Sequence, residues 1–266
     1  MRSTLIVEFR VLFLAILAVI VPFGLLLYVF PSATSIYWAW NIANPRSAIL
    51  IGSAYAGATV YYVLLFRAND WMQVRYGLGG LIVFSLVLLA ATALHWHLFK
   101  AYHPTTLVGL GFYYAGPLLV PIFARMQTER VPSVPETGRQ IKAAWRRWLI
   151  ARAIFYPLWA LLVFVLAVRM GAWWPWRVEP LDLRVFSAQI AIVGWTGVVA
   201  LRGGLLWRGH RLFLVLVGAI GLLQLLGLAL GTTPYRWSSL IGVALPLVFL
   251  EWTLTPLLMF AAHGRR

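Results

Sequence analysis

A chain of 266 residues in which 62% are hydrophobic and only 11% charged lies outside soluble globular usage, where about a quarter of residues carry charge. Its 22 Lys and Arg against 7 Asp and Glu give a formal net charge of +15, but no loop is long enough to fold as a solvated nucleic-acid reader, so nucleic acid is set aside as a partner. The lack of cysteine removes disulfides, thiolate metal sites and cysteine nucleophiles, and leaves the redox compartment open.

Runs of about 20 apolar residues, the length a helix needs to cross a bilayer, predict spans over 11–30, 47–66, 77–99, 105–124, 149–169, 185–201, 211–231 and 239–262. The runs are continuous and not alternating, which points to helices over a membrane barrel. The first could be a secretory signal, since Arg2 and Arg10 precede it and Ser32, Ala33 and Ser35 follow, but it exceeds the apolar core of a signal and reads as a span.

After the first span come Trp38 and Trp40. They belong to eleven of the 14 Trp residues that fall at span ends or in loops, with Trp71, Trp96, Trp145, Trp148, Trp173, Trp174, Trp176, Trp207 and Trp237. This is the distribution of an aromatic belt at headgroup depth. His95 and His97 end the third span and His103 follows; His95 is a candidate metal or tetrapyrrole ligand, although residues two apart face different sides of a helix and no carboxylate accompanies them.

Residues 125–148 form the longest polar segment and divide 1–124 from 149–266. Pro132 and Pro135 interrupt helix there, and an amphipathic stretch follows. Trp145 and Trp148 share a face with Ile141, while Arg139, Lys142, Arg146 and Arg147 supply the polar side. These six Trp and basic residues are expected to anchor on anionic headgroups of the inner leaflet. Mapping all cations onto loops leaves Arg46, Lys100, Arg169, Arg177, Arg184 and Arg236 on one side and the other sixteen, Arg152 among them, on the opposite side. The bias predicts both termini cytoplasmic and an even number of spans.

In the second half, Glu251 is the one acidic residue placed well inside a span, where an ionised carboxylate costs at least about 2.5 kcal/mol and must be protonated, paired or wet. With Trp252, whose carbonyl Pro256 can free, and with mid-span Gln224, it forms a candidate intramembrane proton or ligand site. The bland alternatives are a neutral acid bonded between helices and a glutamine bridge of the kind also open to Gln189. Gly227 and Gly231 make a GxxxG pair, a packing signal.

The halves also resemble each other. Pro22, Pro45, Arg67 and Pro121 recur 135 residues later as Pro157, Pro180, Arg202 and Pro256; Arg10, Trp38, Trp40, Trp71 and Arg75 recur after 136 as Arg146, Trp174, Trp176, Trp207 and Arg211. The expected fold class is an all-α membrane protein of about eight transmembrane helices, arranged as two tandem, parallel four-helix repeats.

The stretch Trp40-Asn41-Ile42-Ala43-Asn44-Pro45-Arg46-Ser47-Ala48, with Gly52, Tyr55 and the later His95, resembles a group of uncharacterised bacterial multi-pass membrane proteins carrying a W-x-I-x-x-P-x-S-A pattern. The likeness covers the first half and implies no activity. P-loop, GxGxxG, HExxH and serine-elbow motifs are absent from the sequence, and no cofactor is expected. The leading expectation is a non-enzymatic bacterial inner-membrane protein, an accessory or scaffold subunit beside other integral membrane subunits. A second is a small-molecule or proton-coupled transporter using Glu251, and a third a pigment- or haem-binding subunit.

Overall fold

In lipid every backbone N–H and C=O must be satisfied within its own segment, so long apolar runs become helices. The computed structural model describes residues 4–131, 138–201, 206–231 and 233–264. In chain order its helices are α1 (Val7–Val29), α2 (Thr34–Tyr37), α3 (Pro45–Ala68), α4 (Trp71–Leu94), α5 (Pro104–Arg130), α6 (Ala143–Val165), α7 (Ala167–Met170), α8 (Pro180–Leu201), α9 (Trp207–Leu230) and α10 (Leu240–His263). Among the described residues, eight of these are long and apolar enough to cross a membrane, and α2 and α7 are single turns in the connections. The chain is thus a multi-pass, all-helical membrane protein.

Local chemistry sets the ends. Asn44, Asp70, His103 and Ser239 each accept a backbone N–H of the first turn that follows them, and Pro45, Pro104 and Pro180 open helices where a missing N–H is harmless. Pro180 starts α8 five residues before the expected span, which makes the sixth crossing full length. α5 continues to Arg130, its last turns carrying an exposed Arg125–Glu129 pair at 2.7 Å. The amphipathic stretch expected on the leaflet is, from Ala143 onward, the first turns of α6. Pro132, Pro135, Arg2, Arg202, Arg265 and Arg266 lie outside the described residues.

The centre is built from α3, α4, α8 and α9. α1 packs on α3 and α6 on α8, while α5 leans on α4 and α10 on α9; across the halves α3 meets α9 and α4 meets α8. The α3–α9 contact depends on a glycine, because a Cβ on Gly57 would stand 2.7 Å from Ile220 Cγ1 and 3.0 Å from its backbone nitrogen. Arg46 strengthens the same contact. It is buried and donates to the carbonyls of Leu228, Gly231 and Thr233, supplying cationic hydrogen bonds to the C-terminal end of α9, so Gly231 of the GxxxG pair serves as an acceptor.

The aromatic belt needs correction. Trp38, Trp40, Trp174, Trp176 and Trp207 are buried, and only Trp96, Trp148, Trp173 and Trp237 of the eleven are exposed. For the first four the reason is that the segments after α2 and α7 fold back into the bundle, while Trp207 opens α9 and packs on Phe260 and His263. Trp40 Nε1 donates to Asp182 Oδ1 at 3.0 Å and Trp176 Nε1 to Ser47 Oγ at 3.0 Å, so each indole is held by the opposite half. For Trp40 and Trp176, burial with a satisfied N–H is worth more than a place among headgroups, whereas Trp38 and Trp174 are held by ring packing, each 5.5–5.6 Å from the neighbouring indole.

Candidate functional site

α6 presents Trp148, Arg152 and Tyr156 at intervals of four, one stripe on a helix, and α10 presents Glu251 and Thr255 in the same way. The two stripes meet. Glu251 Oε2 accepts from the Tyr156 hydroxyl at 2.5 Å, and its Oε1 accepts from Thr255 Oγ1 at 2.7 Å and Trp148 Nε1 at 3.3 Å. Trp148 Nε1 also reaches Thr255 Oγ1 at 3.2 Å. Arg152 Nε stands 3.5 Å from Glu251 Oε1, an ion pair by distance without hydrogen-bond geometry, and its guanidinium lies 5.3 Å from the centre of the Tyr156 ring.

Depth makes this pair costly. Glu251 is eleven residues from Leu240 and twelve from His263, or about 16–18 Å from either end of α10, at the middle of a helix long enough to cross a hydrocarbon core about 30 Å thick. The Arg152 side chain is 3% exposed and that of Glu251 21%. The carboxylate is well supplied with donors, but Nε, Nη1 and Nη2 of Arg152 are all buried without a hydrogen-bond partner. His210 on α9 is fully buried, with both ring nitrogens unpartnered. Chemically the cluster can hold or release a proton at Glu251, with Tyr156 bonded to it, and can offer charged N–H donors to an anion.

The expected site residues are only partly brought together. Glu251 is paired, the second of the three states open to it. Trp252 is buried beside it, its ring 6.0 Å from Tyr156 and 5.6 Å from Phe249, so it walls the cluster by packing. Gln224 is elsewhere: it donates to Gln189 Oε1 at 2.7 Å, and Gln189 donates to the Leu50 carbonyl at 3.1 Å, a bridge joining α9, α8 and α3. His95 accepts from Arg184 Nη1, and burial together with the Arg184 charge holds its pKa below the ordinary histidine value. That guanidinium occupies Nε2 and opposes a second cation at the ring. His103 caps α5, and among the described residues no group of three His, Cys, Asp or Glu side chains could hold a metal.

The headgroup-anchor set also divides. Arg146 and Arg147 are exposed on the first turns of α6 and Trp145 is half-buried. Arg139 donates to the His263 carbonyl at 3.0 Å and the Lys142 N–H to His263 Nε2 at 3.2 Å, while Trp148 turns to Glu251. Sequence reasoning missed Arg152, Tyr156 and His210. The signal was available: Arg152 falls inside the run 149–169, one turn from Trp148 and one from Tyr156, but was counted with the loop cations. Comparison with protein-family models, with curated proteins and with solved structures returns no match for this chain. The function has to be read from the geometry of the cluster itself.

Proposed function

We propose that the protein is a small-molecule or proton-coupled carrier of the bacterial inner membrane, in which Glu251 exchanges a proton against the charge of Arg152. The observation that carries this reading is the Arg152 guanidinium, buried inside the helix bundle, ion-paired with Glu251 and left without hydrogen bonds. A charge so placed is expensive and persists in membrane proteins chiefly on ion and substrate pathways. The reading is preferred to that of an accessory subunit, because lipid alone accounts for the apolar residues exposed on α5, such as Leu107, Leu118 and Ile122.

We further propose that the halves are copies of one four-helix unit, offset by 136 residues and related by an axis along the membrane normal, with both termini cytoplasmic. Hydrogen bonds recurring at this offset support it. The Lys100 N–H donates to the Ala39 carbonyl and the Arg236 N–H to that of Pro175, each at 2.8 Å. The Ile6 N–H donates to Gln127 Oε1 and the Lys142 N–H to His263 Nε2. The crossed Trp40–Asp182 and Trp176–Ser47 bonds relate the same way to within one residue. Such a two-fold axis places a cleft between units that can rock against each other.

The test is proton flux into proteoliposomes enclosing a pH-sensitive dye, under an imposed pH gradient. Wild-type protein should accelerate dye response, and Glu251→Gln should reduce it to the rate of protein-free vesicles. Equal rates for the two proteins would remove Glu251 from any transport mechanism.

A further inference from the structure

We infer that the first half of the bundle holds a binding site for a slender neutral lipid, a single apolar tail carrying an alcohol or carbonyl oxygen, with that oxygen at the hydroxyls of Tyr55, Tyr113 and Ser85. The inference stands on a cavity separate from the Glu251 cluster and does not need the carrier reading.

The cavity measures about 100 Å³ and lies among α1, α3, α4 and α5, with Ile192 of α8 and Phe213, Leu216 and Ile220 of α9 closing the side toward the second half. Its lining runs from Leu12 to Phe23 along α1 and from Gly109 to Val120 along α5, a rise of about 16 Å on each helix. A space that long and that small is narrow. An apolar cavity of about 150 Å³ takes one benzene ring, so this one admits a tail and excludes a broad or branched body. Ala54 and Ala58 of α3 and Gly116 of α5 line it and keep it open. The way in is from the side. α5 leans on α4 and touches α1 only lightly, and the lining residues Val19, Phe112 and Ala115 are half-buried, so the cavity is reached from lipid between α1 and α5. Nothing in the backbone frame imposes the space: Gly221 and Trp252, 136 residues on from Ser85 and Gly116, pack solidly against each other.

The chemistry of the wall selects the guest. Among the described residues no charged side chain lines the cavity, so an ionised group inside it would have no counter-charge. A plain hydrocarbon, in turn, would leave donors unused. Tyr55 and Tyr113 bring two hydroxyl protons to a single contact at 3.3 Å, which leaves one proton to donate. Gly116 lies one turn from Tyr113 on α5, and a Cβ there would stand 2.5 Å from Ser85 Oγ, so this hydroxyl reaches the same stretch of the wall. The hydroxyls of Ser53, Thr59 and Thr92 are spent on the carbonyl four residues back, whereas that of Ser85 bonds no protein group among the described residues. Trp38, its ring 6.0 Å from that of Tyr55, adds a buried Nε1 without a partner, and it bounds a space of about 10 Å³ that shares Tyr113 with the cavity. A neutral oxygen on the guest satisfies these donors, and an apolar tail fills the rest.

The experiment photolabels the full protein in phosphatidylcholine liposomes with azioctanol, an octanol whose diazirine forms covalent adducts on illumination, and maps the adducts by mass spectrometry. Adducts on cavity residues such as Tyr113 and Ser85 should saturate, whereas those on Tyr114, which is 58% exposed on the lipid side of α5, should rise in proportion to the probe. Octanol at about tenfold excess should suppress the cavity adducts about tenfold by mass action and leave Tyr114 labelled. Octane lacks the oxygen and should compete about fivefold less well, the worth of one hydrogen bond. Ser85→Gly with Gly116→Trp copies the pair Gly221 and Trp252, fills the cavity and should abolish the saturable adducts. Tyr55→Phe with Tyr113→Phe keeps the shape, and on the remaining cavity adducts octanol should compete no better than octane. Melting curves verify that each variant is folded; should the filled one fail to fold, the phenylalanine pair decides. The inference is overturned by adducts confined to exposed residues, by octane matching octanol on the wild-type protein, by an octanol advantage that persists in the phenylalanine pair, or by saturable labelling of the folded, filled variant.

Discussion

In the first half of the bundle, α1, α3, α4 and α5, closed off by Ile192 of α8 and by Phe213, Leu216 and Ile220 of α9, surround an apolar cavity of about 100 Å³ whose lining includes Ile16, Ile20, Ser85, Ala115 and Gly116. In the second half, the residues 136 positions on are Arg152, Tyr156, Gly221, Glu251 and Trp252. The buried stripe of the outer helix keeps its register meanwhile: Phe13, Gly24 and Leu27 of α1 and Leu149, Ala160 and Val163 of α6 are all buried. On the proposed repeat, one backbone frame therefore carries two interiors. Where Gly116 leaves space, Trp252 fills it; where Ile16 and Ala115 are content in hydrocarbon, Arg152 and Glu251 require each other. Packing tolerates either solution, so neither the charge nor the space is forced by the frame.

Transplanting the first interior into the second is the strongest way to break this comparison. Glu251→Ala alone strands Arg152 and should cost about 3 kcal/mol of stability, the lower end for a broken buried pair because the Glu251 side chain is 21% exposed. Adding Arg152→Ile, so that both positions match Ala115 and Ile16, should recover most of that loss, since an apolar pair in place of a buried ion pair is close to neutral. Unfolding titrations in mixed micelles measure both. A double variant as unstable as the single would mean that the second frame has come to depend on its charges.

A smaller effect is expected where the two interiors exchange bulk between neighbouring helices. A Cβ on Gly221 would stand 2.7 Å from Trp252 Cβ and 2.8 Å from the Phe249 carbonyl oxygen, and backbone cannot rotate away. Gly221→Ser should therefore force α9 and α10 apart at a cost of about 1–3 kcal/mol. The reverse change in the first half, Ser85→Gly, removes a side chain facing Gly116 and the cavity and should cost less than about 1 kcal/mol. The same titrations decide it, and equal losses would show that the cavity is no looser than its counterpart.

How far the sequence carries depends on whether the information is local. Apolar runs, Pro45 and Pro180 at helix starts, and Trp71 and Trp207 opening α4 and α9 are local, and the eight long helices follow from them. Glu251 was legible as a costly residue because lipid penalises it wherever its partner lies. Its partner was not, since Arg152 is 99 residues away and reads in isolation as one more cation near the positive side. The five buried Trp residues mislead for a similar reason. Four of them lie in connections, a position that signals an interface, and for Trp40 and Trp176 only the opposite half, through Asp182 and Ser47, shows why they turn inward. The pair Lys100 and Arg236 was also legible, because the two share the offset of 136 and both are basic.

The crossed indole bonds give the finest test of the likeness between halves. Trp40 donates to a buried carboxyl group, with Asp182 3% exposed, and Trp176 donates to a hydroxyl, with Ser47 1% exposed. Trp40→Phe and Trp176→Phe remove the same N–H and a similar volume of ring, so the loss common to both cancels when they are compared. What remains is the cost of leaving each acceptor short of a donor. It is larger for Asp182, whose Oδ2 is already buried without a partner, and Trp40→Phe should be the more destabilising by about 1 kcal/mol. Asp182→Ser makes the two acceptors alike, and in that background the difference should vanish. If it persists, the asymmetry resides in the packing of the indoles, and the two ends of the clasp differ in shape as well as in chemistry.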